Sequence, residues 1–313
     1  MCGIIGYVGR QEAAPILLEG LERMEYRGYD STGMAVCGDG VLRVCKKKGR
    51  VQVLREMSHD GADLPGTLGI GHTRWATHGE PSDVNAHPHL SQSGKFAVVH
   101  NGIIENFIAL KEELLQKGYT FRSETDTEVV AQLLDYYYSD CGDFFEAMNR
   151  LLHAVDGAYA LGIICADYPN ALIAARKDSP LIIGWGGNEN FIASDVTAVI
   201  SHTRDVIYME DGEIAVLTAE GVNLFNDEMD PIDKPHSHID WDVSAAEKGG
   251  YPHFMLKEIF EQPEAIRKTV SPRVREGRVV LDDLRLTKEY IQGVSRIFIV
   301  ACGSSYHVGM VSK

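Results

Sequence analysis

Short apolar runs separated by turns dominate the first 225 or so residues. They predict strands at Gly3–Val8, Gly33–Cys37, Val41–Lys46, Thr67–Thr73, Phe96–His100, Ala158–Ala166, Ala171–Arg176, Pro180–Gly184 and Asn190–Ala193, and a hairpin around Asp211-Gly212. Most are apolar at nearly every position rather than at alternate ones, so they suit strands covered on both faces. Four segments repeat their apolar residues at helical spacing instead: Pro15–Tyr26, Glu105–Lys117, Thr127–Tyr138 and Phe144–Ala154. Thr125 and Glu128 have capping-box spacing at the start of the third, and Gly118 is a natural C′ residue for the second. Several strands follow one another without an intervening helix, which predicts stacked antiparallel sheets flanked by helices.

The pattern changes after about residue 226. Asn226–Gly250 is polar, carries Pro231, Pro235 and Gly249-Gly250, and reads as a linker. Phe254–Val270 reads as a helix interrupted by Pro263. From Arg296 to Tyr306 an apolar strand runs into a Gly-Ser turn and the first turn of a helix, which is how a doubly wound sheet normally opens. One strand cannot form a sheet, so the chain is expected to stop where a second domain begins, leaving Phe298-Ile299-Val300 as an unpaired edge.

Charge narrows the function classes. The 313 residues include 45 Asp or Glu against 30 Lys or Arg, a formal net charge of −15. Nucleic-acid and anionic-membrane partners are disfavoured, because such binding needs clustered cations. The longest basic run, Lys46-Lys47-Lys48, reads as a solvated strand end. No stretch of eighteen apolar residues and no cationic leader precede or interrupt the pattern, so neither a signal peptide nor a membrane span is expected. The six cysteines (Cys2, Cys37, Cys45, Cys141, Cys165, Cys302) show no CxxC spacing, which disfavours a zinc site or a disulfide framework and fits a reducing cytoplasm.

Four clusters carry candidate chemistry. Removal of Met1 before a small second residue would leave Cys2 with a free α-amine beside its thiol, a nucleophile and a base on one residue; otherwise Cys2 is a small core cysteine. In Gly71-His72-Thr73-Arg74-Trp75-Ala76-Thr77-His78-Gly79, Arg74 stands where a strand becomes a loop, a common place for a guanidinium that grips a carboxylate. The histidines His72, His78, His87, His89 and His100 match no helical HxxxH spacing, and no metal is expected. In His100-Asn101-Gly102-Ile103-Ile104-Glu105-Asn106, where a strand should end and a helix begin, the Asn101 amide beside the Gly102 N–H could serve a developing oxyanion, or Asn-Gly could be a plain turn. In Ser123-Glu124-Thr125-Asp126-Thr127-Glu128, Asp126 either favours the helix dipole or receives a ligand ammonium, and the two roles are compatible.

Together these clusters resemble the glutaminase domain of the class II glutamine amidotransferases, the N-terminal-nucleophile hydrolases. The resemblance also rests on Leu21–Ser31, the run from His72 to Pro88, Asn190–Asp195 and Met255–Pro263. It extends essentially end to end and is nearest to members whose ammonia converts fructose 6-phosphate to glucosamine 6-phosphate in a sugar isomerase domain. It implies an α+β, four-layer αββα sandwich over residues 1–238, a linker at 239–252 and, at 253–313, the first elements of a truncated α/β isomerase domain. It implies Cys2 as nucleophile with its α-amine as base, Asn101 and Gly102 as the oxyanion hole, and Arg74 and Asp126 as holders of the glutamine α-carboxylate and α-ammonium. Trp75, Thr77 and His78 would line the pocket, with Arg27 behind them, and Ser304 and Ser305 would begin a sugar-phosphate site. No cofactor is implied, and the full-length enzyme would be a homodimer. Two alternatives stay open: another class II amidotransferase, of the amidophosphoribosyltransferase or asparagine synthetase type, or an inert glutamine-binding fragment that retains Met1.

Overall fold

Alternation within the apolar runs decides which layer each side chain enters. In β1 (Gly3–Val8), Ile4 and Val8 face one way and Ile5 and Tyr7 the other, and all four are buried. The computed structural model describes residues 2–76, 78–240, 250–281, 284, 286–301 and 303–313. It places β1 inside an eight-stranded sheet that runs, edge to edge, Ser237–His238 (β15), Asp205–Tyr208 (β11), Ile182–Trp185 (β9), Asn190–Ala193 (β10), β1, Leu68–Arg74 (β4), Ser31–Gly38 (β2) and Val41–Lys48 (β3). The second sheet has seven strands in the order Pro231–Ile232 (β14), Val222–Phe225 (β13), Ile214–Leu217 (β12), Leu172–Lys177 (β8), Gly157–Cys165 (β7), Phe96–Ile104 (β6) and His89–Leu90 (β5). The neighbours in both sheets pair antiparallel.

The sheets pack face to face, and helices cover their outer sides. Ile4, Val8, Ile70 and Ile192 of the first sheet meet Ala97, Val99, Ile164 and Ala174 of the second in one dry layer. Ile5 and Tyr7 pack instead with Leu17, Leu18 and Leu21 of α1 (Ala13–Met24). On the far side of the second sheet lie α3 (Phe107–Gln116), α4 (Glu128–Cys141) and α5 (Phe144–Ala154), through Leu114, Val130, Leu134, Met148 and Leu151. A short α2 (Val51–Met57) contributes Val51 and Leu54 to the α1 side. The unit is an α+β, four-layer αββα sandwich: the strand succession predicts its stacked antiparallel sheets flanked by helices, and the family resemblance implies the four layers.

Several local expectations are corrected. Asp211-Gly212 joins no hairpin, because β11 belongs to the first sheet and β12 to the second. The Gly212 N–H instead donates to the Arg176 carbonyl, docking the turn on the end of β8 as the chain crosses between layers. The Thr125–Glu128 capping box does not form: the Thr125 hydroxyl pairs with His89 Nε2 at 3.0 Å, while Glu128 Oε2 accepts from the Ser123 N–H at 2.6 Å and the Ser123 hydroxyl at 2.7 Å. Gly118 does terminate α3 as C′, with φ +88°, the Gly118 N–H on the Leu115 carbonyl and the Tyr119 N–H on that of Leu114. Residues 231–232 and 237–238, within the segment that reads as a linker, form the outermost strands β14 and β15.

The chain divides into compact units at 1–247 and 248–313. In the second unit α6 (Phe254–Val270) passes through Pro263 without a break, and α7 (Lys288–Gly293) and α8 (Gly303–Val311) follow. Residues 296–300 form no strand; Phe298 is 78% and Val300 96% exposed, as apolar residues are when no neighbouring strand is there to pair with them.

The layer between the sheets carries the stability of the first unit. Ile192 is fully buried there, opposite Gly6 and Gly162, and a Cβ on Gly162 would lie 2.7 Å from its Cδ1. Ile192→Ala is expected to lower the urea unfolding free energy by about 2–5 kcal/mol. Val84→Ala, at a half-exposed position, is expected to change it by less than about 0.5 kcal/mol.

Candidate active site

One strand from each sheet brings chemistry to a common point. Cys2 immediately precedes β1, and the β1–β4 register pairs Gly3 with Thr73, so Cys2 meets the end of β4 at Arg74 and Trp75. The Trp75 N–H donates to Cys2 Sγ at 3.2 Å, and the thiol faces the Trp75 carbonyl at 3.5 Å. From β6, Asn101 Nδ2 donates to the Cys2 carbonyl at 3.1 Å. These residues share a cavity of about 450 Å³ with Arg27, Arg74, His78, Gly102 and Asp126.

Asn101-Gly102 is not a turn. β6 continues to Ile104, paired with β7, and α3 begins only at Phe107. Gly102 holds φ at +133°, and a Cβ there would collide with the Ala158 carbonyl, so this position requires glycine on both counts. The strand extends because its backbone finds partners in Gly157–Ala160, which local turn chemistry does not reveal.

The charges of the cavity are fixed from behind. The buried Arg74 guanidinium is held by the carbonyls of His78, Gly79 and Glu80. The Asp126 carboxylate is also buried and accepts the Ile104 N–H at 2.8 Å through Oδ2. Arg27 pairs with Asp195 and with the Tyr26 hydroxyl. Burial pushes the Cys2 thiol above its ordinary range; the Trp75 N–H and the Arg74 guanidinium oppose this, and the Asp30 carboxylate adds to it. Asp30, within the run Leu21–Ser31, also accepts the Ala76 N–H, and no local spacing marks it for the site.

Thus Cys2, Arg27, Arg74, Trp75, His78, Asn101, Gly102 and Asp126 line one cavity. Thr77 lies outside the described residues. Ser304 and Ser305 lie in the second unit, in the first turn of α8, where Ser305 is exposed.

Along one wall of the cavity lies a stack of buried histidines, which their sequence spacing offers only as candidate metal ligands. His72 stacks on His87 with ring centres 4.2 Å apart, His87 meets His89 edge-on at 4.8 Å, and His100 Nδ1 lies 2.9 Å from Thr127 Oγ1. Among the described residues no three His, Cys, Asp or Glu side chains converge as a metal site would. Burial lowers the affinity of all four rings for a proton, His72 to a pKa of about 3.

Residues 72–201 match the family model described as a glutamine amidotransferase domain. The fold matches the solved glutamine phosphoribosylpyrophosphate amidotransferase from B. subtilis, complexed with ADP and GMP, at TM-score 0.63 and 28% identity over 74% of this chain and 50% of that one. A second structure, of the allosteric regulatory enzyme of purine biosynthesis, matches at TM-score 0.64 and 28% identity over 73% of this chain and 50% of that one. The fold is thus shared with these amidotransferase structures, and residues 72–201 are similar to the glutamine amidotransferase domain.

Over all of its length the chain is 54% identical to the glutamine--fructose-6-phosphate aminotransferase [isomerizing] of Caldanaerobacter subterraneus subsp. tengcongensis, and 54% identical to that of Clostridium perfringens. The Aquifex aeolicus protein of the same name is 50% identical. The chain spans about half the length of these relatives, 51% of each. Among the described residues no helix is long and apolar enough to cross a membrane.

The histidine stack has a measurable consequence. Each ring binds a proton more weakly folded than unfolded, so below pH 6.5 the unfolded chain holds more protons and stability falls with pH. Between pH 6.5 and 5, above the range where ordinary carboxylates titrate, urea unfolding should lose on the order of 1 kcal/mol per pH unit for each titrating histidine. His89→Gln should make the slope shallower; a flat wild-type profile would contradict the neutral stack.

Proposed function

We propose that this chain hydrolyses the side-chain amide of glutamine, with Cys2 as nucleophile, and releases ammonia. The observation that carries the reading is the convergence on one cavity of a thiol, an amide donor and a fixed pair of opposite charges, Arg74 and Asp126. A zwitterionic amino acid needs one cation and one anion to be held in register. Arg74 takes the α-carboxylate and Asp126 the α-ammonium, while the Ile104 N–H holds the Asp126 carboxylate in place. Trp75 and His78 form the walls, and Arg27, paired with Asp195, lines the same cavity.

Burial keeps the resting thiol protonated, so a base is needed. Once Met1 is removed, the Cys2 α-amine takes the thiol proton as sulfur attacks the amide carbon. The negative oxygen is met by Asn101 Nδ2 and the Gly102 N–H. Collapse breaks the C–N bond, the protonated amine gives its proton to the leaving nitrogen, and ammonia departs. Water then cleaves the thioester and regenerates the thiol.

The relatives extend the proposal to the whole protein, in which the ammonia aminates fructose 6-phosphate to give glucosamine 6-phosphate. Residues 253–313, with Ser304 and Ser305, are the start of the isomerase domain, and the whole protein is a cytoplasmic homodimer that needs no metal or cofactor.

Ammonia and glutamate release from glutamine tests the reading. Cys2→Ala should fall to background, and Asp126→Asn should raise KM roughly 10- to 100-fold, the loss of one charge-assisted hydrogen bond of about 1.5–3 kcal/mol. Intact mass should show active preparations without Met1. Full turnover in Cys2→Ala, or turnover in a sample that retains Met1 throughout, would overturn the mechanism.

A further inference from the structure

Asn101 can serve an oxyanion only if its amide nitrogen, not its oxygen, faces the thiol. The two ends of an asparagine amide have nearly the same shape, so the choice is made by hydrogen-bond partners. On one side stands the Cys2 carbonyl, 3.1 Å from Nδ2, which can only accept. On the other stands His72 Nε2, 2.9 Å from Oδ1. A neutral imidazole could present either an N–H or a lone pair there, so this contact alone fixes nothing.

A backbone atom breaks the ambiguity. The same His72 Nε2 lies 3.1 Å from the His100 carbonyl, which is acceptor only, so the proton must sit on Nε2. His72 Nδ1 is buried and has no hydrogen-bond partner in the structure, as expected of the nitrogen left with the lone pair. The ring itself cannot turn freely, because it is stacked on His87 and fully enclosed. Rotating the Asn101 amide by half a turn would set N–H against N–H at His72 and oxygen against oxygen at Cys2.

We propose that His72 is a positioning residue for the oxyanion hole. Its Nε2–H, oriented by the His100 carbonyl, locks the Asn101 amide with Nδ2 toward Cys2. The second Nδ2 hydrogen is then left for the substrate oxygen as negative charge develops on it. His72 borders the cavity, but its Nε2–H is engaged by the His100 carbonyl and Asn101 Oδ1, so it acts through Asn101. The inference rests on the proposed glutaminase reading and adds to it a residue for which neither the comparisons nor the sequence motifs supplied a role.

The test separates orientation from folding. His72→Phe keeps an aromatic ring in the stack and removes the donor; His72→Gln restores an N–H that can reach the same two oxygens. In glutamine hydrolysis, His72→Phe should lower kcat roughly 10- to 100-fold, within the range for losing one oxyanion donor, with KM changed less than about 3-fold. Alkylation of Cys2 by iodoacetamide, a displacement of iodide that develops no oxyanion, should keep its rate within about 2-fold. His72→Gln should recover most of the loss, and in an Asn101→Ala background His72→Phe should cost less than about 2-fold, because the group it positions is gone. If His72→Phe leaves kcat intact, if alkylation falls in parallel with kcat, or if the loss is the same in the Asn101→Ala background, the inference is overturned. A wild-type chain that releases no ammonia overturns the glutaminase reading itself, and this inference with it.

Discussion

The hydrogen bond from the Asn101 amide to the Cys2 carbonyl joins the two sheets at the point where the chemistry is placed. Everything else in the first unit serves to bring those two residues within 3.1 Å of each other. Cys2 enters with β1, which lies inside the first sheet between β4 and β10, and Asn101 enters with β6, fixed by its register with β7. The dry layer of Ile, Val and Ala side chains between the sheets sets their separation, so packing and catalytic geometry are one constraint. A cavity in that layer would loosen the site as well as the fold.

The site is held mainly by backbone groups. Carbonyls hold Arg74, the Ile104 N–H holds Asp126, the Trp75 N–H bonds the Cys2 sulfur, and the His100 carbonyl selects the His72 tautomer. Backbone partners in paired strands move little, and their donor or acceptor character does not change with pH. The cost lies in the buried histidines, which must stay neutral and leave His72 Nδ1 without a partner. Stability is given up in acid so that an orientation is kept at neutral pH.

Much of this was legible in the chain. The strand at Gly3–Val8 and the helix at Phe144–Ala154 coincide with their expected bounds, because each is written in a local pattern of apolar residues. The residues that line the cavity could be gathered by their chemistry and by family resemblance, since Cys2, Arg74, Asn101 and Asp126 all sit at ends of predicted elements. What failed was decided at a distance. Asp211-Gly212 has the composition of a hairpin turn but crosses between sheets, and Asn101-Gly102 has that of a turn but stays in a strand, because partners far along the chain supply the hydrogen bonds. Thr125 was diverted from capping by His89, 36 positions away. Asp30 and the histidine stack were missed for the same reason, as their meaning lies in contacts rather than spacing.

On the proposed mechanism Cys2 forms a covalent bond to the glutamyl group of glutamine. Rapid acid quenching during turnover, followed by intact-mass and peptide analysis, measures this directly. A population of chain heavier by one γ-glutamyl group is expected, located on the N-terminal cysteine peptide and released by hydroxylamine as a thioester would be. Ammonia release with the adduct on another residue, or steady turnover by a chain whose N-terminal cysteine is blocked, would contradict it.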